Sequence, residues 1–259
     1  WWGIALFMKL GIFMMTAGIM LTQSTPIIVP IAATIFAFMS ELCGIYSGWY
    51  LAMGRRLRRS LDFQDGLGWD MSNEQYADML VNIPKSVLNR SSLESDDKTD
   101  PYFSSKEGVG PKRTIQHVRE SAWWTKHLSK SMFYVMLITN IIIFAISFIF
   151  IFVTLNSRID PNTASTVSEV VLAVLVLVVS LELLRLCLQY AGTANAALDI
   201  EQKAATALTD TIQNEKRAIQ LMHEYHINRA TRPIIPNWIW SMRRRRLQQV
   251  WDTYMASGE

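Results

Sequence analysis

Residues 31 to 53 read IAATIFAFMSELCGIYSGWYLAM. The stretch is hydrocarbon almost from end to end, yet it carries one carboxylate, Glu41. At about 1.5 Å per helical residue it exceeds the roughly 30 Å core of a bilayer. It lacks the two-residue alternation of a barrel strand. A segment in lipid must satisfy its own backbone groups, so a helix is the remaining choice.

Three further runs share this character. Half of the 259 residues are hydrophobic, and they are gathered into Trp2 to Leu21, Pro26 to Met53, Ser131 to Leu155 and Ser165 to Leu188 rather than spread at core-like spacing. The expected fold is therefore all-α and polytopic, with four transmembrane helices in two hairpins. Its divisions are a first hairpin at 1 to 53, a helical cytoplasmic insert at 54 to 130, a second hairpin at 131 to 189 and a long helical extension at 190 to 259. The first run is the shortest and contains Lys9, but MLTQSTPII turns it directly into the second. Trp1 is not an initiator residue, which implies a native segment ahead of it.

Net charge is only +3, and its placement says more than its sum. GRRLRR (54 to 59), Lys112, Arg113, Arg119, Lys126 and Lys130, and RRRR (243 to 246) all fall on one side of the runs. On the other side, TQST carries no base and Arg158 is balanced by Asp160. By the positive-inside rule the chain is expected as a multi-pass membrane protein with both termini cytoplasmic. Cys43 and Cys187 lie inside spans, where they act as small apolar residues.

In the insert, GLG (66 to 68) ends an arginine-rich helical turn, and SNEQ (72 to 75) resembles a capping box opening a helix that stops before Pro84. NRSSLESDDKTD (89 to 100) reads as a mobile loop. Pro111 suits a first helical position, with Ile115, Val118 and Ala122 on one stripe and the helix running on into the third span. Trp123 and Trp124 are expected where that helix meets the headgroups. After the fourth span only Gly192 interrupts the chain before Pro233, which predicts one very long helix. Its seam repeats Leu198, Ala205, Ile212 and Ile219, with Glu201, Leu208, Glu215 and Met222 beside it. Packing against the insert is the preferred reading over self-association, because two glutamates spoil a clean coil. Asn237 can cap a last helix, whose Trp238, Ile239, Met242 and arginines either lie on an anionic leaflet or dock on the bundle.

Counted inward at about 1.5 Å per residue, Lys9 lies about 18 Å deep, Glu41 about 22 Å, Glu182 about 25 Å and Arg185 about 30 Å. This is a common polar layer, extended by Asn140 and Ser147. A charge near the midplane costs at least about 2.5 kcal/mol, so pairs Lys9–Glu41 and Glu182–Arg185 are expected, either fastening the hairpins or lining a path in an assembly. Ser40, Gly44 and Gly48 form a small-residue stripe for close helix packing.

No catalytic constellation is present: no HExxH, no paired CxxC, no phosphate-cradling loop and no nucleophile elbow, so an enzyme is not expected, nor a metal or other cofactor. His223 and His226, like His117 and His127, read as surface residues rather than metal ligands. A basic and aromatic cytoplasmic set stands out: Tyr102, Phe103, Lys106, Lys112, Arg113, Arg119, Trp123, Lys126, Arg229 and Arg232. It suits either a small anionic ligand with bases to stack or lipid headgroups.

DPYFSSKEGVGPKRTIQHVRESAWWTKHL (100 to 128), together with INRATRPIIPNWIWSMRRRRLQQVW (227 to 251), resembles the SMODS-associating four-transmembrane effector family. The layout of two hairpins, an insert and a basic helical tail covers nearly all the chain. The resemblance implies an effector of CBASS-type anti-phage systems that senses a cyclic nucleotide made after infection and disrupts the inner membrane. It supplies no ligand residues. Partners expected on this reading are the bilayer, further copies of the chain and a cyclic nucleotide, with no DNA or RNA polymer. The alternative is a non-conducting membrane scaffold that recruits a soluble partner. A transporter fits poorly because the halves do not repeat.

Overall fold

The computed structural model describes residues 4, 7–9, 11, 28–82, 103–156, 182–210 and 214–256. Among these every regular element is helical. In chain order they are α1 (Ile28–Leu67), α2 (Asn73–Asn82), α3 (Pro111–Asn156), α4 (Leu183–Thr209), α5 (Glu215–Thr231) and α6 (Asn237–Ala256). Two compact units result, one of residues 1–52 and 129–192, the other of 53–128 and 193–259. We call them the apolar unit and the bundle unit.

The apolar unit turns much of its apolar side-chain surface outward. On α1 the side chains of Ile35, Phe38, Ile45 and Trp49 are exposed, as are Ile138, Ile142, Phe148 and Ile149 on α3. Buried among its described residues are the polar Ser40, Ser129, Asn140 and Ser147 beside Cys43, Met132, Cys187 and Tyr190. Water would not tolerate so broad an apolar surface on a lone chain. Among the described residues one helix, Pro111–Ile149, is long and apolar enough to cross a membrane, with a mean hydropathy of 2.4 over a window that is 17% buried. The expected first span lies mostly outside the described residues, as does residues 165–181 of the fourth.

Two contacts inside this unit bring described segments side by side. A Cβ on Gly11 would lie 3.7 Å from the Phe36 ring, so the first run passes α1 closely there. Cys187 Sγ lies 3.9 Å from the Phe133 carbonyl oxygen, bringing α4 beside α3. The Lys9–Glu41 pair does not form: no ion pair joins them among the described residues, and Glu41 is exposed. The reason is helical phase. Phe36, Ser40 and Cys43 share the inward face, whereas Glu41 is turned about 140° from Phe36 at 100° per residue. The small-residue stripe divides the same way, since Ser40 is 2% exposed while Gly44 and Gly48 face open space.

The bundle unit has an ordinary apolar core. Ile115, Val118 and Ala122 of α3 meet Ile200, Ala204 and Ala207 of α4 and Ala218, Leu221, Met222 and Tyr225 of α5. All three stripe residues read from the sequence are thus interior. The very long helix is not formed. It ends at Thr209, and α5 restarts after Asn214, whose side chain accepts from Lys216 N and supplies one of the orphan donors of a new helix start. α4 and α5 are tied by Lys203, which bridges Asp199 (2.7 Å) on its own helix and Glu224 across the turn. The seam is one residue out of phase with the expectation: Ala197 and Ala204 are buried, while Leu198 is 39% exposed. Alanines draw two helices closer than leucines do, and they carry little hydropathic signal. α1 stops at Leu67, where Gly68 adopts φ +72°, a backbone that glycine accepts at no steric cost. Gly66 fits beneath Thr114, whose Oγ1 would lie 2.7 Å from an added Cβ.

Candidate functional site

The densest polar arrangement of the bundle unit is built on the first turns of α3. Residues 103 to 107 lie along that helix as a strap. Ser104 donates to Glu120 Oε2 twice, from its hydroxyl (2.8 Å) and its backbone N (3.0 Å). Ser105 Oγ donates to Gln116 Oε1, and Lys112 pairs with Glu107 (2.6 Å). Trp251 of α6, 1% exposed, donates from Nε1 to Ser104 Oγ at 3.0 Å. A shallow recess opens here, lined by Ser104, Ser105, Gln116, Arg119, Glu120 and Trp251. At its rim Arg119 donates to the Tyr254 hydroxyl and lies over that ring, 5.1 Å from its centroid.

Next to the strap two carboxylates organise the basic residues. Asp65 receives Arg113 and lies 3.4 Å from His117 Nδ1, while Phe103 stacks on the His117 ring at 3.8 Å. Asp62 faces Arg58 (3.3 Å), Arg229 (3.6 Å) and His226 Nε2 (3.7 Å). Burial pushes the Asp62 carboxyl above the usual carboxylate range, against the pull of Arg58 and Arg229. It does the same to Glu120, against the two Ser104 hydrogen bonds. His117 and His226 are 3% and 5% exposed, and burial brings both down to about 4. Neither is the surface residue the sequence led us to expect, because both sit on helix faces turned to the core. Among the described residues no group of three or more His, Cys, Asp or Glu side chains is placed to hold a metal ion.

These shifts predict a pH dependence. Both imidazoles are neutral in the folded bundle and would bind protons near the ordinary 6.5 once released. From about pH 6.5 down to about 4 the unfolded chain therefore holds more protons, and stability falls as pH falls. Asp62 and Glu120, shifted upward, take up protons in the folded chain and offset part of the loss at the acidic end. The thermal midpoint of the detergent-solubilised chain, followed by tryptophan fluorescence, should drop between pH 7 and pH 5, and less so in His226→Gln. A flat profile would contradict the burial of neutral imidazoles.

The ligand set read from the sequence is brought into one unit but not into one open pocket. Phe103 and Trp123 are buried, Trp123 against Trp251 at 5.1 Å and His127 at 4.5 Å. Trp123 is therefore core rather than a headgroup anchor. Lys126 pairs with Glu201 (2.5 Å), and Arg232 donates to Thr125 Oγ1 (3.0 Å) while its carbonyl accepts from Arg55 (3.2 Å). Lys112, Arg113, Arg119 and Arg229 are engaged as described above. Tyr102 lies outside the described residues, and Lys106 is exposed. Sequence reasoning missed Ser104, Glu120, Trp251, Asp62 and Asp65. An acidic residue at i+4 to Arg58 was a usable clue for Asp62. The partners of Glu120 lie on distant segments, and nothing local announced them.

Of the polar layer, Glu182 and Arg185 pair at 2.9 Å with both side chains more than half exposed. Asn140 is 4% exposed and donates from Nδ2 to the Met136 carbonyl one turn earlier. Comparison of the chain with protein-family models, curated proteins and solved structures returns no match.

Proposed function

We propose that this chain is a multi-pass inner-membrane effector with four spans and cytoplasmic termini, working as an oligomer whose membrane helices open a path when the bundle unit binds an anionic nucleotide. The observation that carries the reading is the outward-facing apolar surface of the apolar unit, with large aliphatic and aromatic side chains exposed and Ser40, Asn140 and Ser147 among the buried residues. α1, α3 and α4 each run unbroken from residues of one unit into residues of the other, which gives a binding event in the bundle unit a route to the spans. A cyclic nucleotide of the anti-phage type is the ligand suggested by the resemblance of residues 100 to 128 and 227 to 251. Its phosphates would compete with Asp65, Asp62 and Glu201 for arginine and lysine. Such a ligand can drive opening only by its difference in affinity between closed and open states.

Dye release from liposomes containing the purified chain, with and without cyclic dinucleotides and trinucleotides, tests this. Leakage that depends on one nucleotide is expected, and Glu41→Gln or Glu182→Gln should alter its rate without loss of expression. A second reading, a non-conducting scaffold for a soluble partner, is favoured by one observation: Arg113, Lys126, Arg229 and Arg232 already have partners within the bundle unit. A scaffold releases no dye with any nucleotide.

A further inference from the structure

The last helix has two faces that do different work. Ile239, 0% exposed, and Trp251, 1% exposed, fix α6 within the bundle unit, with Leu247 half-buried between them. Trp240 packs on Trp124 with ring centroids 5.0 Å apart. At 100° per residue Trp238, Met242, Arg245 and Gln249 fall on the opposite face with Arg246 at its edge, whereas Arg244 points within 20° of Trp251, at the border of the docked side. All six are exposed, Trp238 at 53% and Met242 at 59%. Among the described residues no ion pair or hydrogen bond is made by Arg244, Arg245 or Arg246. Asp252 is the one acid on the helix, and it accepts from Gln248 at 2.9 Å instead.

Three other arginines of the unit, Arg58, Arg113 and Arg229, each meet a carboxylate. Two free guanidinium groups, Arg245 and Arg246, with a tryptophan and a methionine beside them, held on a helix whose other side is docked, are the ingredients of a membrane-surface face. Bases neutralise phosphates while an indole and a thioether enter the boundary below them.

We propose that the Trp238–Met242–Arg245 face of α6, with Arg246 at its edge, binds the anionic lipid headgroups of the membrane that holds the apolar unit. This rests on the membrane reading above. It adds that the bundle unit touches lipid and discriminates lipid charge. Each arginine should contribute roughly fivefold to that association, so neutralising both removes roughly twenty-five-fold.

The test uses the full chain in nanodiscs of pure phosphatidylcholine or of phosphatidylcholine with phosphatidylglycerol at 7:3. A nitroxide is placed at Gln249→Cys, on the same face, with Cys43 and Cys187 changed to alanine. Co-purification of the chain with the discs reports membrane insertion separately, so failure of that reading is distinguishable. In anionic discs the label should lose collisions with an aqueous nickel chelate and gain collisions with oxygen; in neutral discs it should stay aqueous. Arg245→Gln and Arg246→Gln together should restore the aqueous pattern in anionic discs, while the half-buried Arg243→Gln should not. A label that is aqueous in both discs, or shielded equally in both, overturns the proposal. Immobilisation of the label by an added single-stranded RNA but not by phosphatidylglycerol would overturn it in favour of a nucleic-acid surface.

Discussion

Trp251→Ala should loosen the bundle unit by about 3 to 5 kcal/mol, the range for removing a fully buried large aromatic. Two consequences separate this from a general loss of packing. Trp251 supplies the N–H that reaches Ser104 at 3.0 Å, and Ser104 in turn holds Glu120. The strap at residues 103 to 107 and the helix α6 should therefore open together. Amide hydrogen exchange of the detergent-solubilised chain would record faster exchange at both segments, with residues 200 to 207 much less affected. Trp251→Phe keeps the contact with Trp123 and loses the donor to the exposed Ser104, so its cost should be nearer 0.5 to 1.5 kcal/mol, about the net worth of one hydrogen bond. Exchange at the strap unchanged by Trp251→Ala would refute the coupling.

Ile115→Ala ranks second. Its side chain is 0% exposed where α3 meets α4 and α5, and shortening a buried isoleucine to alanine costs about 2 to 5 kcal/mol through lost transfer energy and the cavity left behind. The thermal midpoint of the bundle unit should fall by about 10 °C or more. Leu198→Ala is the control, because that leucine is 39% exposed despite its place on the apparent heptad. It should cost under about 1 kcal/mol. A larger effect at Leu198 than at Ile115 would mean that the heptad, not the alanine face, is the seam.

Much of this architecture can be read from local signals. Pro111 opens α3, the Gly66 to Gly68 segment closes α1, and Ser72 precedes α2, because each is a backbone constraint imposed by the residue itself. Ile115, Val118 and Ala122 were legible as an interior stripe because α3 presents one apolar side in that stretch. What escaped depended on phase or on distance in sequence. The α4 to α5 turn hinges on Asn214 acting as a cap, a modest cue set against a helical-looking background. The alanine face was hidden because small residues score weakly while making the closest approach. The basic set was visible, yet its partners Asp62, Asp65, Glu107 and Glu201 come from three different segments, so the pairing could not be read from spacing. Glu41 shows the same limit: matching its depth with Lys9 said nothing about the side of the helix on which it stands.

The alanine face of α4 also determines which positions can change. Ala197, Ala204 and Ala207 are almost fully enclosed, and Ala218 opposite them is likewise. Side chains this short let main chains nearly touch, so an added methyl group there wedges the rods apart over their whole length instead of filling a gap. Natural variation in this chain should therefore be scarcest at its plainest residues, while Leu198 beside them, turned outward, should drift freely.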